Sequence, residues 1–354
     1  MTATTATDAP RRIREYGHSF WRRVIVSRES AIVALLIIVA VVASVSVHGF
    51  SQSITLTFLL MDVAPTLLIA LPMTLIMVTG EIDLSVGSMV GLSSVTVGAL
   101  VQAHWPFGVA AIVALLVGVI GGAINGFLVT VVGLPSLAVT IGTLALFRGI
   151  AVGILGTTAV TSFPSEWTAL AQATISGTTL PYIMVPFVIL LVVFVVLLHF
   201  TPFGRGIYAT GLSKDAATFS GVHVPRTKMI LFVLSGLISA FAGIFYTLRF
   251  GTARGDNATG LELQVIAAVV LGGVSVFGGR GKIYGVVAAV LLIGSLSSAL
   301  RLAYITSDVI NIITGVLLII SVVGASVLNW AQRRRRRPAQ PPASTPTVST
   351  STAA

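Results

Sequence analysis

Six ionisable residues fall within or at the edges of long apolar runs: Asp62, Glu81, Asp83, Arg148, Glu262 and Asp308. A charged side chain near the bilayer centre costs at least about 2.5–3.5 kcal/mol on an insertion scale, so such residues make buried polar bonds or line a solute or ion path. Glu81, Asp83, Glu262 and Asp308 lie near the predicted ends of apolar segments, where water or a helix terminus accommodates them, and Asp83 suits the N-cap of the next helix. Asp62 and Arg148 lie deeper. With Glu81, Asp83 and Asn125 they make up the candidate pathway or structural polar residues.

Enzymatic chemistry finds no residues to carry it, and no catalytic or metal-binding residue is assigned. His18, His48, His104, His199 and His223 show no metal-ligand spacing, and no GxSxG elbow occurs. The absence of cysteine removes thiolate metal sites and cysteine nucleophiles. Gly278–Lys282 has the look of a phosphate loop, but Val276 stands where a Walker A motif requires its first glycine and Ile283 follows the lysine. A nucleotide that powers this chain must therefore bind elsewhere, and no cofactor is assigned to the chain itself.

The elements that position these residues are membrane helices. The 354 residues are 55% hydrophobic and 9% charged, against roughly 25% charged residues in soluble domains. Long apolar runs without period-2 alternation predict an all-α, polytopic transmembrane helical bundle rather than a barrel. About ten spans are expected, near 29–48, 55–79, 83–102, 108–131, 136–156, 182–200, 228–249, 263–278, 283–303 and 308–329. The first, preceded by Arg11, Arg12, Arg14, Arg22, Arg23 and Arg28, is too long for a signal peptide and is read as uncleaved.

With ten spans and a cytoplasmic N-terminus, 17 of the 21 Lys and Arg residues fall inside, including Arg205, Lys214, Arg226, Lys228, Arg280, Lys282 and Arg333 to Arg337. That bias predicts both termini in the cytoplasm of a multi-pass cell membrane protein. The chain divides into a basic N-terminal segment (1–28), a membrane domain (29–329), and a basic then low-complexity tail (330–354) whose arginines meet anionic lipids. The charge of +10 is spread over such blocks, which favours membrane orientation over nucleic-acid binding. A short helix is expected from Ser165 to Ala173 in the largest outside segment.

Gly118, Gly122 and Gly126, and likewise Ser235, Ser239 and Gly243, form small-residue ridges that let helices approach closely. Pro65 and Pro72 are expected to break the second span, and Gly87 to loosen the third. The one sizeable polar passage between spans, Gly204 to Val224, holds a short helix with Ser213 as N-cap and Gly221 just past its end. Its exposed aromatic, Phe219, suits docking into a partner's groove.

Three segments resemble the permease subunits of ATP-binding-cassette sugar importers, the branch serving ribose, xylose, rhamnose and autoinducer-2. Gly80–Ser94 is close to that family's GGIDLSVGS signature, with Glu81 replacing its second glycine. Gly204, Arg205, Ala209, Gly211, Ala216, Ala217, Ser220 and Gly221 match its cytoplasmic loop, and Leu271–Gly281 its LGGVSVFGGRG run. The resemblance implies a pore formed with a second permease copy or a related permease, cytoplasmic ATPase subunits that hold ATP and Mg, and an external sugar-binding protein. It also implies that the loop at about 201–227 couples to the ATPase, through Gly204, Arg205, Gly211, Ser213, Lys214, Asp215, Ala216, Ala217, Phe219, Ser220 and Gly221. The expected cargo is a rhamnose-like or other monosaccharide. An autoinducer-2 importer and an ion-coupled secondary carrier using Asp62 or Arg148 are the alternatives.

Overall fold

The structure, a computed structural model, describes residues 28–306, 308–313, 315, 316 and 319. The expected tenth span, the basic tail and most of the N-terminal segment lie largely or wholly outside the described residues. Apolar runs fold into helices because the backbone satisfies its own hydrogen bonds where water is absent. They are α1 (Arg28–Ser46), α2 (Ser53–Val78), α3 (Val86–Gln102), α4 (Phe107–Thr130), α5 (Ser136–Leu155) and α6 (Ser165–Gln172). There follow α7 (Met184–Phe200), α8 (Pro202–Leu212), α9 (Lys214–Phe219), α10 (Val224–Phe250), α11 (Leu261–Leu271) and α12 (Ile283–Leu302). Beta pairing among the described residues is limited to two isolated bridges, Val160 with Ala253 and Thr174 with Pro181.

Among the described residues six helices, α1, α2, α4, α5, α10 and α12, are long and apolar enough to cross a membrane, and α7 with α8 gives a seventh bent by 67°. The shorter α3 and α11 are apolar too, with 17 and 11 residues. The chain is thus a multi-pass helical bundle in which nine of the ten predicted segments coincide with a helix. The prediction over 263–278 is longer than the helix, which ends at Leu271 where Gly272 and Gly273 turn the chain. The short helix expected over Ser165–Ala173 is α6, with Pro164 at its N-cap position.

The helices alternate between two ends. One, the Gly80 end, gathers the α2–α3 turn, α8, α9, the start of α10 and the 272–282 loop, as the bond from Gly279 N–H to Val78 O and the Lys214–Glu81 pair show. The other, the Asp62 end, gathers the start of α2, the loop after α6 and the C-termini of α10 and α12, as the bonds from Thr57 to Thr179 O and from Gln172 to Arg249 O show.

α2 is the core of the bundle, and its residues from Val63 to Val78 are all buried. The expected break at its prolines does not occur, for the helix runs unbroken through Pro65 and Pro72. Packing on every side keeps it helical despite the lost N–H donors. The two small-residue ridges serve two different faces of α10: Gly118 and Gly122 of α4 lie against Gly236 and the Phe232 carbonyl, while Gly243 of α10 lies against Val90 and Ser93 of α3.

Candidate functional site

The site is a junction at the Gly80 end. α2 stops in a Schellman turn in which Gly80 (φ 83°) donates to Met77 O at 3.0 Å and Glu81 N–H to Ile76 O at 3.3 Å. Against this turn lie Gly211, at the end of α8, and the Gly278–Gly279 pair, with Gly279 N–H bonded to Val78 O at 2.8 Å. A Cβ on Gly211 would overlap Val78 O and Gly279 N, and one on Gly278 would stand 2.9 Å from both Gly211 O and Gly80 N. The three segments that resemble the importer family therefore touch backbone to backbone at one point.

Glu81 is the charge centre of that junction. Its Oε1 accepts from Lys228 Nζ at 2.5 Å and from Lys214 Nζ at 3.0 Å. Lys228 is buried with Glu81, whereas the Lys214 side chain is 59% exposed. Burial alone would raise the Glu81 carboxyl, but the hydrogen bonds from Lys228, Ser136 and Lys214 outweigh it and hold the carboxyl below its ordinary value. The bond to Glu81 in turn raises Lys214.

A carboxyl depressed in the folded protein contributes stability above its unfolded pKa and loses it as pH falls through the folded one. We expect the detergent-solubilised chain to melt at an unchanged temperature from neutral pH down to the glutamate range and to lose stability below it. The slope below that range should shrink in Glu81→Gln, as thermal unfolding followed by circular dichroism at stepped pH would report.

α7 and α8 meet at Thr201, whose hydroxyl donates to Leu197 O at 2.6 Å and accepts from Gly204 N–H at 3.2 Å. Pro202 at the first position of α8 lacks an N–H and prevents α7 from continuing straight. Gly204 is buried against the Leu197 and Leu198 carbonyls, and Arg205 is exposed. Ser213 is at once the C-cap of α8 and the N-cap of α9, its Oγ accepting from Ala216 N–H at 3.3 Å. α9 closes in a second Schellman turn, with Gly221 N–H bonded to Thr218 O and Val222 N–H to Ala217 O. Lys214, Asp215, Ala216, Phe219, Ser220 and Gly221 are exposed, and Phe219 reaches 93%. Ala217 is the inward residue of this helix, 2% exposed, so it packs α9 down and does not face outward.

The other polar candidates lie apart from the junction or behind it. Asp83 accepts from Ser85 N–H at 3.0 Å, Ser85 Oγ at 2.6 Å and Ser235 Oγ at 2.8 Å, and Asn125 Nδ2 donates to Ser85 Oγ at 2.8 Å. This buried net ties the start of α3 to α4 and α10. Arg148 donates through one nitrogen to Gly255 O at 2.8 Å and Asn257 O at 2.7 Å, pinning the 252–260 loop. We expect Arg148→Ala to leave both carbonyls unpaired, costing about 1–3 kcal/mol each, and to open that loop to protease in limited digestion. Asp62 pairs with Arg249 at 3.3 Å and Arg301 at 3.5 Å near the Asp62 end.

Lys228 and the Gly278–Gly279 turn stand outside the candidate site residues, Lys228 having counted only toward orientation and the glycines only toward the family match. A signal for Lys228 existed: a cation in the first turns of α10 and an acid just past the end of α2 each oppose the local helix dipole, so each needs a partner.

The matching family model is described as branched-chain amino acid transport system / permease component and covers residues 55–322, which contain all three junction segments. The chain belongs to this family. It is 36% identical over 325 residues to the autoinducer 2 import system permease protein LsrD of Yersinia enterocolitica, spanning 87% of this chain and 96% of that one. Against LsrD of Photorhabdus temperata the identity is 38% over 283 residues, 76% of this chain and 84% of the relative. For LsrD of Salmonella paratyphi A it is 35% over 328 residues, 89% and 98%. No solved structure matches the chain at a significant level.

Proposed function

We propose that this chain is the pore-forming subunit of an ATP-driven importer of a small hydroxylated solute, with the Gly80 end in the cytoplasm. The observation that carries the reading is the junction: an exposed, doubly capped helix whose attachment is fused by backbone contacts to the end of the core helix α2. An ATPase that displaced α9 would thereby move α2 and α3. Charge supports the orientation. The Gly80 end carries Arg205, Lys214, Arg226, Lys228, Arg280 and Lys282, against Arg249, Arg254 and Arg301 at the other end.

ATP and Mg belong on the partner ATPase, an external binding protein delivers the solute, and a second permease copy or a related permease completes the pore. Autoinducer 2 is the first solute to test, because the similar proteins are named for its import; monosaccharides come next. The ion-coupled alternative is less favoured, since Arg148 bonds loop carbonyls and Asp62 pairs with two arginines.

The test is uptake into proteoliposomes holding the chain with its ATPase and binding protein. Uptake should require hydrolysable ATP, and its persistence with a catalytically dead ATPase would overturn the reading. Phe219→Asp, at an exposed position that leaves the fold intact, should cut uptake at least tenfold at normal chain abundance. Unchanged uptake in that variant would remove α9 from the docking surface.

A further inference from the structure

The surface of the bundle has two characters. On α4 the exposed side chains Val109, Ile112, Leu116, Ile120, Ile124 and Phe127 form one apolar stripe, and the exposed residues of α5 are apolar throughout. α7 continues this face with Val188, Ile189, Val192, Val193 and Val196. Hydrocarbon meets such a face without cost.

Between α2, α10, α11, α12 and the chain at Asn311 and Gly315 the surface is instead a cleft of about 510 Å³, in which Asp62, Thr66, Thr259, Gln264, Ser297 and Asn311 stand among Pro65, Ala258, Leu261 and Leu263. It has the size of a small-molecule site, about 300–1,000 Å³. Tyr246 and Phe250 stand in it as an aromatic pair, ring centroids 4.6 Å apart. Asp62 and Gln264 cannot be left against lipid without the penalty of a polar group in hydrocarbon, so this face meets water or protein. A second cavity of about 520 Å³, lined by Thr57, Gln172 and Thr179, lies on the other side of the Asp62–Arg249 ion pair, with Arg249 in its wall.

We propose that the cleft is the wall of the solute path and holds the solute in passing, as a neutral polyhydroxylated molecule whose hydroxyls bond Thr259, Gln264 and Ser297 while its carbon face lies on the Tyr246–Phe250 rings. Its carboxylate is already paired to two arginines, so no cationic ligand is called for. The inference rests on the importer reading, but it assigns a site that the junction does not.

The natural chain has no cysteine, so single cysteines report on each face in the assembled transporter. Gln264→Cys and Ser297→Cys should react with a charged, membrane-impermeant methanethiosulfonate at least tenfold faster than Ile120→Cys and Ile189→Cys. Leu263→Cys, at an apolar lining position that is 63% exposed, serves if either polar variant fails to assemble. Autoinducer 2, ribose, xylose and rhamnose are then added separately at millimolar concentration, and at least one should slow labelling at Gln264→Cys threefold or more. Equal reactivity on the two faces, or protection by none of the four, overturns the proposal. Uptake that needs no ATPase, measured in the same vesicles, would overturn the importer reading while leaving the labelling result in place.

Discussion

Glu81→Ala leaves Lys228 charged and buried with no counter-ion, and the chain should lose about 3–5 kcal/mol of stability, the usual cost of breaking a buried pair from one side. In detergent this should appear as a large fall in melting temperature and in recovered monodisperse protein. The double variant Glu81→Ala/Lys228→Met removes both charges and should regain most of that stability, since an apolar side chain replaces the ion pair. Uptake should separate the two effects. If Glu81 also ties α9 to the α2–α3 turn through Lys214, the stable double variant will still hydrolyse ATP yet import at a small fraction of the normal rate. Full import by the double variant would leave Glu81 with a folding role only.

Gly211→Val should abolish import. The added side chain has no space, because even its first carbon would overlap the Val78 carbonyl and the Gly279 amide, and neither backbone atom can rotate away. Overpacking of this kind costs typically 1–3 kcal/mol even in cores that can shift. Here it also parts α8 from the end of α2 and breaks the Gly279–Val78 hydrogen bond. Import should fall at least a hundredfold, and the melting temperature should drop by less than in Glu81→Ala. Gly133→Ala is the control, with open space at its Cβ but a φ of 83°, so it reports backbone strain alone. Normal import by Gly211→Val would mean that the three segments do not need their close contact.

What could be read from the sequence follows from which atoms carry the information. Apolar runs and capping side chains are local, so the helices and the Ser213 and Gly221 ends of α9 were predictable within a few residues. The exposure of Phe219 followed from the same pattern. Arg148 was visible as a cation within an apolar run, but its partners are main-chain carbonyls, which any residue supplies, so its role as a loop anchor left no mark. Asp62 finds Arg249 across 187 positions, a pairing that no local spacing encodes. The glycine junction was legible only as three separate motifs, because contact between backbones leaves no complementary side chains to match. Pro65 and Pro72 misled for the opposite reason: their local effect is real, and the packing around α2 overrides it.

The single residue between α8 and α9 has a mechanical consequence. Ser213 ends one helix and starts the next, so the connection has no slack to absorb a push. A load applied at Phe219 reaches Gly211 within one helix length and is handed to the carbonyl of Val78. A linker of several flexible residues would dissipate that stroke. Inserting two glycines after Ser213 would therefore turn a stiff transmission into a loose one while every residue of both helices remained in place.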